Sequence, residues 1–201
     1  MINSKLIKTA FFTDQYDDWE PNEGPFLINN KTYKVITMKQ VHGDKIITLP
    51  TFTNIHKCDG LYTEKKGKIL CIKTADCVPL IIDNGIGVGA IHAGWKGLKK
   101  GILNKFFENK KYLTKNIKVS IGPHARNCCY KVTEEMKYIF PNHVKNTNSQ
   151  YYMDMTRFIT DYLDQLSIEY EDCGFCTICN DNFYSYRRDG THKRQYSFVC
   201  L

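Results

Sequence analysis

The chain has 201 residues, enough for one domain to close a hydrophobic core without disulfide support. A composition of 42% hydrophobic and 24% charged residues excludes wholesale disorder, a fibrous repeat and a membrane protein. The formal charge of +7 is moderate and scattered, which favours anionic partners such as phosphorylated metabolites without indicating nucleic acid.

In chain order, the segment up to about Ile28 reads as irregular, rich in Asp, Asn, Gly and Pro. Lys5, Lys8, Asp14, Asp17 and Asp18 interrupt its start, so no signal peptide is expected. No apolar run reaches the roughly 18–20 residues of a membrane span, and a cytoplasmic location follows as the expectation. Residues 33–38 read as a strand, Gln40 to Asp44 as a turn or strand end, and residues 45–49 as a short strand closed by Pro50. Strands are expected over 68–73, 77–82 and 86–92, with Asn84-Gly85 as the hairpin turn before the last. Helical periodicity starts after Gly94, where Leu98, Ile102 and Phe106 recur every four residues, broadened by Leu103 and Phe107. Residues 117–121 return to a strand that Gly122-Pro123 stops. Thr133 is expected to cap a short helix, with Glu134 and Glu135 in its first turn. Asp154 is expected to cap another, in which Phe158, Tyr162 and Leu166 share a face; residues 195–201 read as a final strand. The pattern is that of an α/β or α+β protein: a single domain over residues 1–201, with a layered mixed-sheet core covered by helices.

Three apolar strands run directly into reactive residues: Gln40-Val41-His42-Gly43, Thr74-Ala75-Asp76-Cys77 and His92-Ala93-Gly94-Trp95. His42, Cys77 and His92 offer two imidazoles and a thiolate, a reasonable zinc set with a fourth position open to water or substrate. Spacing does not establish that they converge, and a buried thiol with two hydrogen-bonded histidines reads equally well. Asp76 reads as a proton carrier, as an orienting group, or as an Asx turn before Pro79. Gly43, Gly94 and Gly97 suit close backbone approach or plain turns. Arg187 and Arg188 carry guanidinium forks suited to phosphate or carboxylate, and Lys96 adds another positive charge. Trp95, Tyr184 and Tyr186 could stack against a base or simply pack in the core. The nine cysteines are odd in number, which speaks against a complete disulfide framework and for free thiols or metal ligands. Cys173, Cys176 and Cys179 form two overlapping Cys-x-x-Cys steps, and Cys128-Cys129 could meet them only through folding; free thiols are the default reading.

A longer ordered set of motifs carries a resemblance. It includes Gln40-Val41-His42-Gly43, Cys58-Asp59-Gly60-Leu61, Thr74-Ala75-Asp76-Cys77-Val78-Pro79, His92-Ala93-Gly94-Trp95-Lys96-Gly97-Leu98 and Ile121-Gly122-Pro123. Cys129-Tyr130-Lys131-Val132, Tyr152-Met153-Asp154, Cys176-Thr177 and Ser185-Tyr186-Arg187-Arg188 complete it. In these pieces the chain resembles the YfiH/YlmD-like family, also called the multicopper polyphenol oxidase or laccase-domain family. The resemblance implies zinc on His42, Cys77 and His92, with copper as an alternative ion. It implies phosphorolysis of purine nucleosides (adenosine, inosine, guanosine and 5'-methylthioadenosine) by inorganic phosphate, with adenosine deamination as a companion reaction. Asp76, Lys96, Arg187 and Arg188 are then the candidate catalytic residues. The chain departs from the family pattern at Lys96, where Arg is usual, and at Thr191-His192-Lys193-Arg194, where the family has Thr-Gly-Arg. Three other readings stand beside it: a copper-dependent phenol oxidase, a metal-free thiol hydrolase using Cys77 and His92, and a non-enzymatic thiol- or metal-binding protein. The phenol oxidase is disfavoured by a total of six histidines. No nucleic acid or membrane partner is expected, and a monomer is the default.

Overall fold

The computed structural model describes residues 1–16, 25–28, 31–49, 57–109 and 111–201, with only the backbone described at 25–28 and at residue 31. Pro50 and residues 17–24, on which parts of the sequence expectations fall, lie outside them.

The first six-stranded sheet uses β1 (Ile2–Asn3), β2 (Ala10–Phe12), β3 (Pro25–Ile28), β4 (Lys31–Ile36), β7 (Lys68–Thr74) and β15 (Gln195–Cys200), in the order β1-β2-β15-β7-β4-β3. The second uses β5 (Ile46–Leu49), β6 (Gly60–Thr63), β8 (Val78–Asp83), β9 (Val88–Ala93), β10 (Lys118–Ile121) and β14 (Glu169–Asp172), in the order β14-β10-β8-β9-β6-β5. A small third sheet pairs β11 (Lys131–Val132), β13 (Gln150–Met153) and β12 (Val144–Thr147). The helices are α1 (Trp95–Lys99), α2 (Ile102–Phe107), α3 (Met136–Ile139), α4 (Met155–Gln165) and α5 (Tyr186–Asp189). Among the described residues, mixed sheets and five helices give the expected layered fold.

The period-2 alternation of the strands builds the layers. On β7, Leu70 and Ile72 face the second sheet, while Ile69 and Cys71 face outward with Val35 and Phe198. On β8, Ile81 joins Leu70 and Ile72 between the sheets, whereas Val78, Leu80 and Ile82 point to the helices. There they meet Leu98 of α1, Ile102 and Phe106 of α2, and Met155, Ile159 and Leu163 of α4. Strands buried on both faces read as continuous apolar runs, which is why the central ones were recognisable in the sequence.

The N-terminal segment holds three strands where irregular chain was expected, because β2 gains its order by pairing with the C-terminal β15. The stripe after Gly94 is two helices: Gly101 adopts φ +80°, and the chain turns there. Thr133 is not a cap, since α3 starts after Glu135 and has no side-chain cap. Asp154 does cap α4, its carboxylate accepting the Arg157 N–H at 2.9 Å. The buried face of α4 is Met155-Ile159-Leu163; Phe158 and Tyr162 flank it and Leu166 is exposed. The hairpin forms, pairing β8 with β9 from Asp83 opposite Val88, but its connection is the four residues Asn84-Gly85-Ile86-Gly87, so the strand starts at Val88 and not at residue 86. Among the described residues, no helix is long and apolar enough to cross a membrane.

Candidate active site

The site forms where the chain crosses from the first sheet to the second. The loop between β4 and β5 carries His42, and the loop between β7 and β8 carries Asp76 and Cys77. β8 and β9 pair with Val78 opposite Ala93, which brings His92 beside the end of that second loop. The ligating atoms of His42, Cys77 and His92 all lie within 4.8 Å of one another. The two imidazoles meet edge to face, with centroids 4.8 Å apart.

Asp59, just before β6, holds this arrangement. It is fully buried, and its carboxylate accepts the His92 Nδ1–H at 2.8 Å. The same carboxylate accepts backbone N–H groups of Val41 at 3.2 Å, His42 at 2.9 Å and Gly43 at 2.7 Å. Those three bonds hold His42 at φ +56°, a left-handed conformation that a non-glycine residue seldom adopts unsupported. The sequence reading missed this residue; an Asp before a Gly looks like a turn, and its burial is a tertiary fact. Gly94 and Gly97 let the segments close. A Cβ at Gly94 would sit 2.9 Å from Cys77 Sγ, and one at Gly97 2.7 Å from the Gly43 carbonyl.

Burial pushes the Cys77 thiol up, but the charge of His92 and hydrogen bonds from His42 and His92 outweigh it and bring it down to about 6. Burial opposes the charge on His92, yet the Cys77 thiolate and Asp59 raise it to about 9. The site therefore favours the thiolate, the form of cysteine that binds metal. Asp59 fixes His92 Nδ1–H and leaves Nε2 for a metal, the usual outer support of a ligating histidine. One thiolate and two imidazoles with a side open to a cavity fit a zinc-type ion.

The cavity above this floor measures about 540 Å³, within the range of small-molecule sites. Lys96, Arg187 and Arg194 line it, as do Trp95, Tyr130 and Tyr186. The Arg187 guanidinium lies 5.0 Å from the Tyr130 ring centroid and donates one N–H to the Lys131 carbonyl at 2.7 Å. Lys96 Nζ lies 5.6 Å from the Trp95 ring centroid. Asp76, at φ +91°, also lines the cavity. Its Oδ1 accepts the Thr177 hydroxyl at 2.8 Å, and its Oδ2 accepts the Arg187 backbone N–H at 2.6 Å. The expected Asx turn toward Pro79 is replaced by these two long-range bonds.

Of the residues proposed from sequence, His42, Cys77, His92, Asp76, Lys96 and Arg187 converge on one cavity. Arg188 does not. Its guanidinium donates to the carbonyls of Thr177 at 2.9 Å and Phe183 at 3.0 Å and pairs with Asp189 at 2.7 Å, binding its own loop together. Tyr184 likewise lies outside the cavity lining, whereas Arg194, noted only as part of an atypical motif, lies within it. His124 is buried apart from the site: its Nδ1–H donates to the Gly122 carbonyl at 2.8 Å and its Nε2 accepts from Thr156 at 2.7 Å.

Fold and donor set together define a sheet–sheet–helix protein with a histidine–cysteine cluster of the kind that can hold a metal ion. Residues 25–201 match the family described as multi-copper polyphenol oxidoreductase laccase, and the chain belongs to it. It is 35% identical over 178 residues to a protein of Aquifex aeolicus named purine nucleoside phosphorylase, covering 84% of this chain and 83% of that one. It is 30% identical over 192 residues to purine nucleoside phosphorylase YfiH of Escherichia coli, covering 88% of this chain and 77% of the relative. The crystal structure of YlmD from Geobacillus stearothermophilus superposes with a TM-score of 0.79 at 23% identity, covering 98% of this chain and 93% of that chain. The YfiH/YlmD-like resemblance and the layered fold stand confirmed.

Proposed function

We propose that this protein is a metal-dependent purine nucleoside phosphorylase, with zinc as the ion at His42, Cys77 and His92. The observation that carries the reading is a single cavity combining a His-Cys-His floor with four cations, Lys73, Lys96, Arg187 and Arg194, and three aromatic rings. The names of the relatives point the same way. In the reaction, the C1'–N9 bond of the nucleoside breaks while a phosphate oxygen bonds C1', giving free purine and ribose 1-phosphate. Arg187, Lys96 and Arg194 hold the phosphate; the planar Arg forks match its oxygens, and Lys96 acts as a point charge. Trp95, Tyr130 and Tyr186 offer ring faces to the purine. Asp76 ties the backbone of Arg187 to the floor and so fixes where the cation stands relative to the ribose. His42, Cys77 and His92 would hold the zinc ion, which would supply Lewis acidity to the cavity.

Adenosine deamination is the second reading, supported by the same open metal position, with Asp76 as the carboxylate among the described cavity-lining residues to carry a proton. Phenol oxidation at several coppers is not supported. Among the described residues, only one cluster of metal-binding type contains histidine, and His124 is held by a carbonyl and a hydroxyl elsewhere. The test is to incubate metal-analysed protein with adenosine, with and without phosphate, beside Cys77→Ala, and to resolve products by chromatography. Adenine and ribose 1-phosphate should appear only with phosphate and disappear in the variant. Inosine in both conditions would add deamination. No product from fully zinc-loaded protein with adenosine, inosine, guanosine or 5'-methylthioadenosine would overturn the reading.

A further inference from the structure

Folding brings together four further sulfurs in a second cluster. Cys128 and Cys129 follow the turn at Arg126, and Cys176 and Cys179 lie in the loop after β14. The four Sγ atoms are all within 4.8 Å of one another, and Cys128 Sγ lies 3.8 Å from Cys179 Sγ. A tetrahedron with metal–sulfur arms of about 2.3 Å has edges of about 3.8 Å. A disulfide needs sulfurs about 2.05 Å apart. The Cys128–Cys179 separation matches such an edge and is too long for a disulfide bond.

One of the four sulfurs sits among backbone donors. Backbone N–H groups of Arg126, Ile178 and Cys179 point to the Cys176 sulfur, the kind of donor that supports metal-bound sulfur. The two cysteine segments are already bound to each other. Arg126 and Asp172 form a two-point ion pair at 2.9 and 2.6 Å, and His124 and Cys176 form a parallel backbone bridge. Cys176 is buried and Cys129 half-buried, while Cys128 and Cys179 are exposed, so an ion can enter from solvent and finish against the interior. Cys173, which shares a Cys-x-x-Cys step with Cys176, stays outside the cluster.

We propose that Cys128, Cys129, Cys176 and Cys179 form a structural four-thiolate site for one zinc ion. Four protein ligands close the coordination shell, in contrast to the three-donor floor with its open side. Binding displaces the thiol protons to solvent and moves no electrons. The ion would tie two loops that shape the cavity. Tyr130 follows Cys129 and lies against the Arg187 guanidinium; Thr177 follows Cys176 and donates to Asp76.

The two sites can be separated by metal analysis of the whole protein, purified under reductant and exclusion of air. A His42→Ala/Cys77→Ala variant disables the floor and should retain about one zinc per chain, bound through about four sulfurs at about 2.3 Å by X-ray absorption. Adding Cys128→Ser and Cys179→Ser should remove that zinc. If either variant fails to fold, the zinc edge of the unaltered protein decides: two filled sites give a sulfur-rich average shell, the floor alone a nitrogen-rich one. A folded floor variant without zinc after exposure to excess zinc, or a nitrogen-rich shell in zinc-saturated protein, overturns the proposal. So does a disulfide between any two of the four cysteines in the air-excluded protein. These readouts measure metal and not turnover, so their failure is distinct from failure of the phosphorylase reading.

Discussion

The floor of the cavity takes His92 from β9 and His42 and Cys77 from loops at strand ends, with one buried carboxylate behind them, whereas its wall is carried by α1, the single-turn helix α5 and loop residues. On the floor, Asp59 receives four N–H donors and so determines both the His42 backbone and the His92 ring. On the wall, Lys96 and Arg187 are exposed and their positions depend on backbone contacts: Arg187 through Asp76 and the Lys131 carbonyl, Lys96 through α1. Metal geometry tolerates little displacement, so its donors belong on the rigid part. An anion can be met by long side chains that adjust, so those can stand on the looser part.

The largest expected effect comes from weakening the floor where that difference is made. Asp59→Asn keeps the volume but presents an NH₂ group to a set of N–H donors, which cannot all be satisfied. Metal affinity and kcat/KM should fall by up to about 100-fold, the usual cost of losing the outer support of a ligating histidine. Metal-competition titration against a chelator, with circular dichroism as the check on folding, measures this. Unchanged affinity in a folded variant would mean that the floor is not organised by Asp59.

Two adjacent arginines sharpen the contrast. Arg187→Ala removes a cavity cation whose contribution to phosphate binding is about 1.5 kcal/mol, so KM for phosphate should rise about tenfold with little change in melting temperature. Arg188→Ala removes the donor to the Thr177 and Phe183 carbonyls and should cost about 1–2 kcal/mol of stability while leaving KM for phosphate near its starting value. Paired phosphate kinetics and thermal melts check both. A rise in KM from Arg188→Ala at unchanged stability would reverse the assignment of the pair.

The same contrast explains what could be read from sequence. Central strands such as β7, β8 and β9 are buried on both sides, so their apolar runs are visible directly. His42, Cys77 and His92 were legible as chemical types at strand ends, but their convergence depends on the sheet crossing. Asp59 is not legible as a site residue, because nothing local distinguishes a buried carboxylate from a turn. Arg187 and Arg188 were indistinguishable until α5 pointed them apart. The β12–β13 hairpin is mostly exposed and lacks an apolar face, and its turn uses Asn148-Ser149, both at positive φ, in place of a glycine signal. The break between α1 and α2 was hidden because the apolar spacing continues across Gly101.

The smallest effect expected tests how much the looser wall can be improved. Lys96 is exposed on α1, with its ammonium 5.6 Å from the Trp95 ring centroid. Lys96→Arg keeps the charge, adds a planar fork for phosphate and stacks better on the indole. A gain of about 0.5–1 kcal/mol is the scale for an exposed contact of this kind, which corresponds to a two- to five-fold lower KM for phosphate. Nothing on the floor changes, so metal affinity should stay the same, and kcat should move little if phosphate is held alike in ground and transition states. Phosphate saturation curves at fixed nucleoside, alongside a chelator titration, separate these quantities. A shift in metal affinity from this substitution would show that wall and floor are coupled, and the division drawn between them would fail.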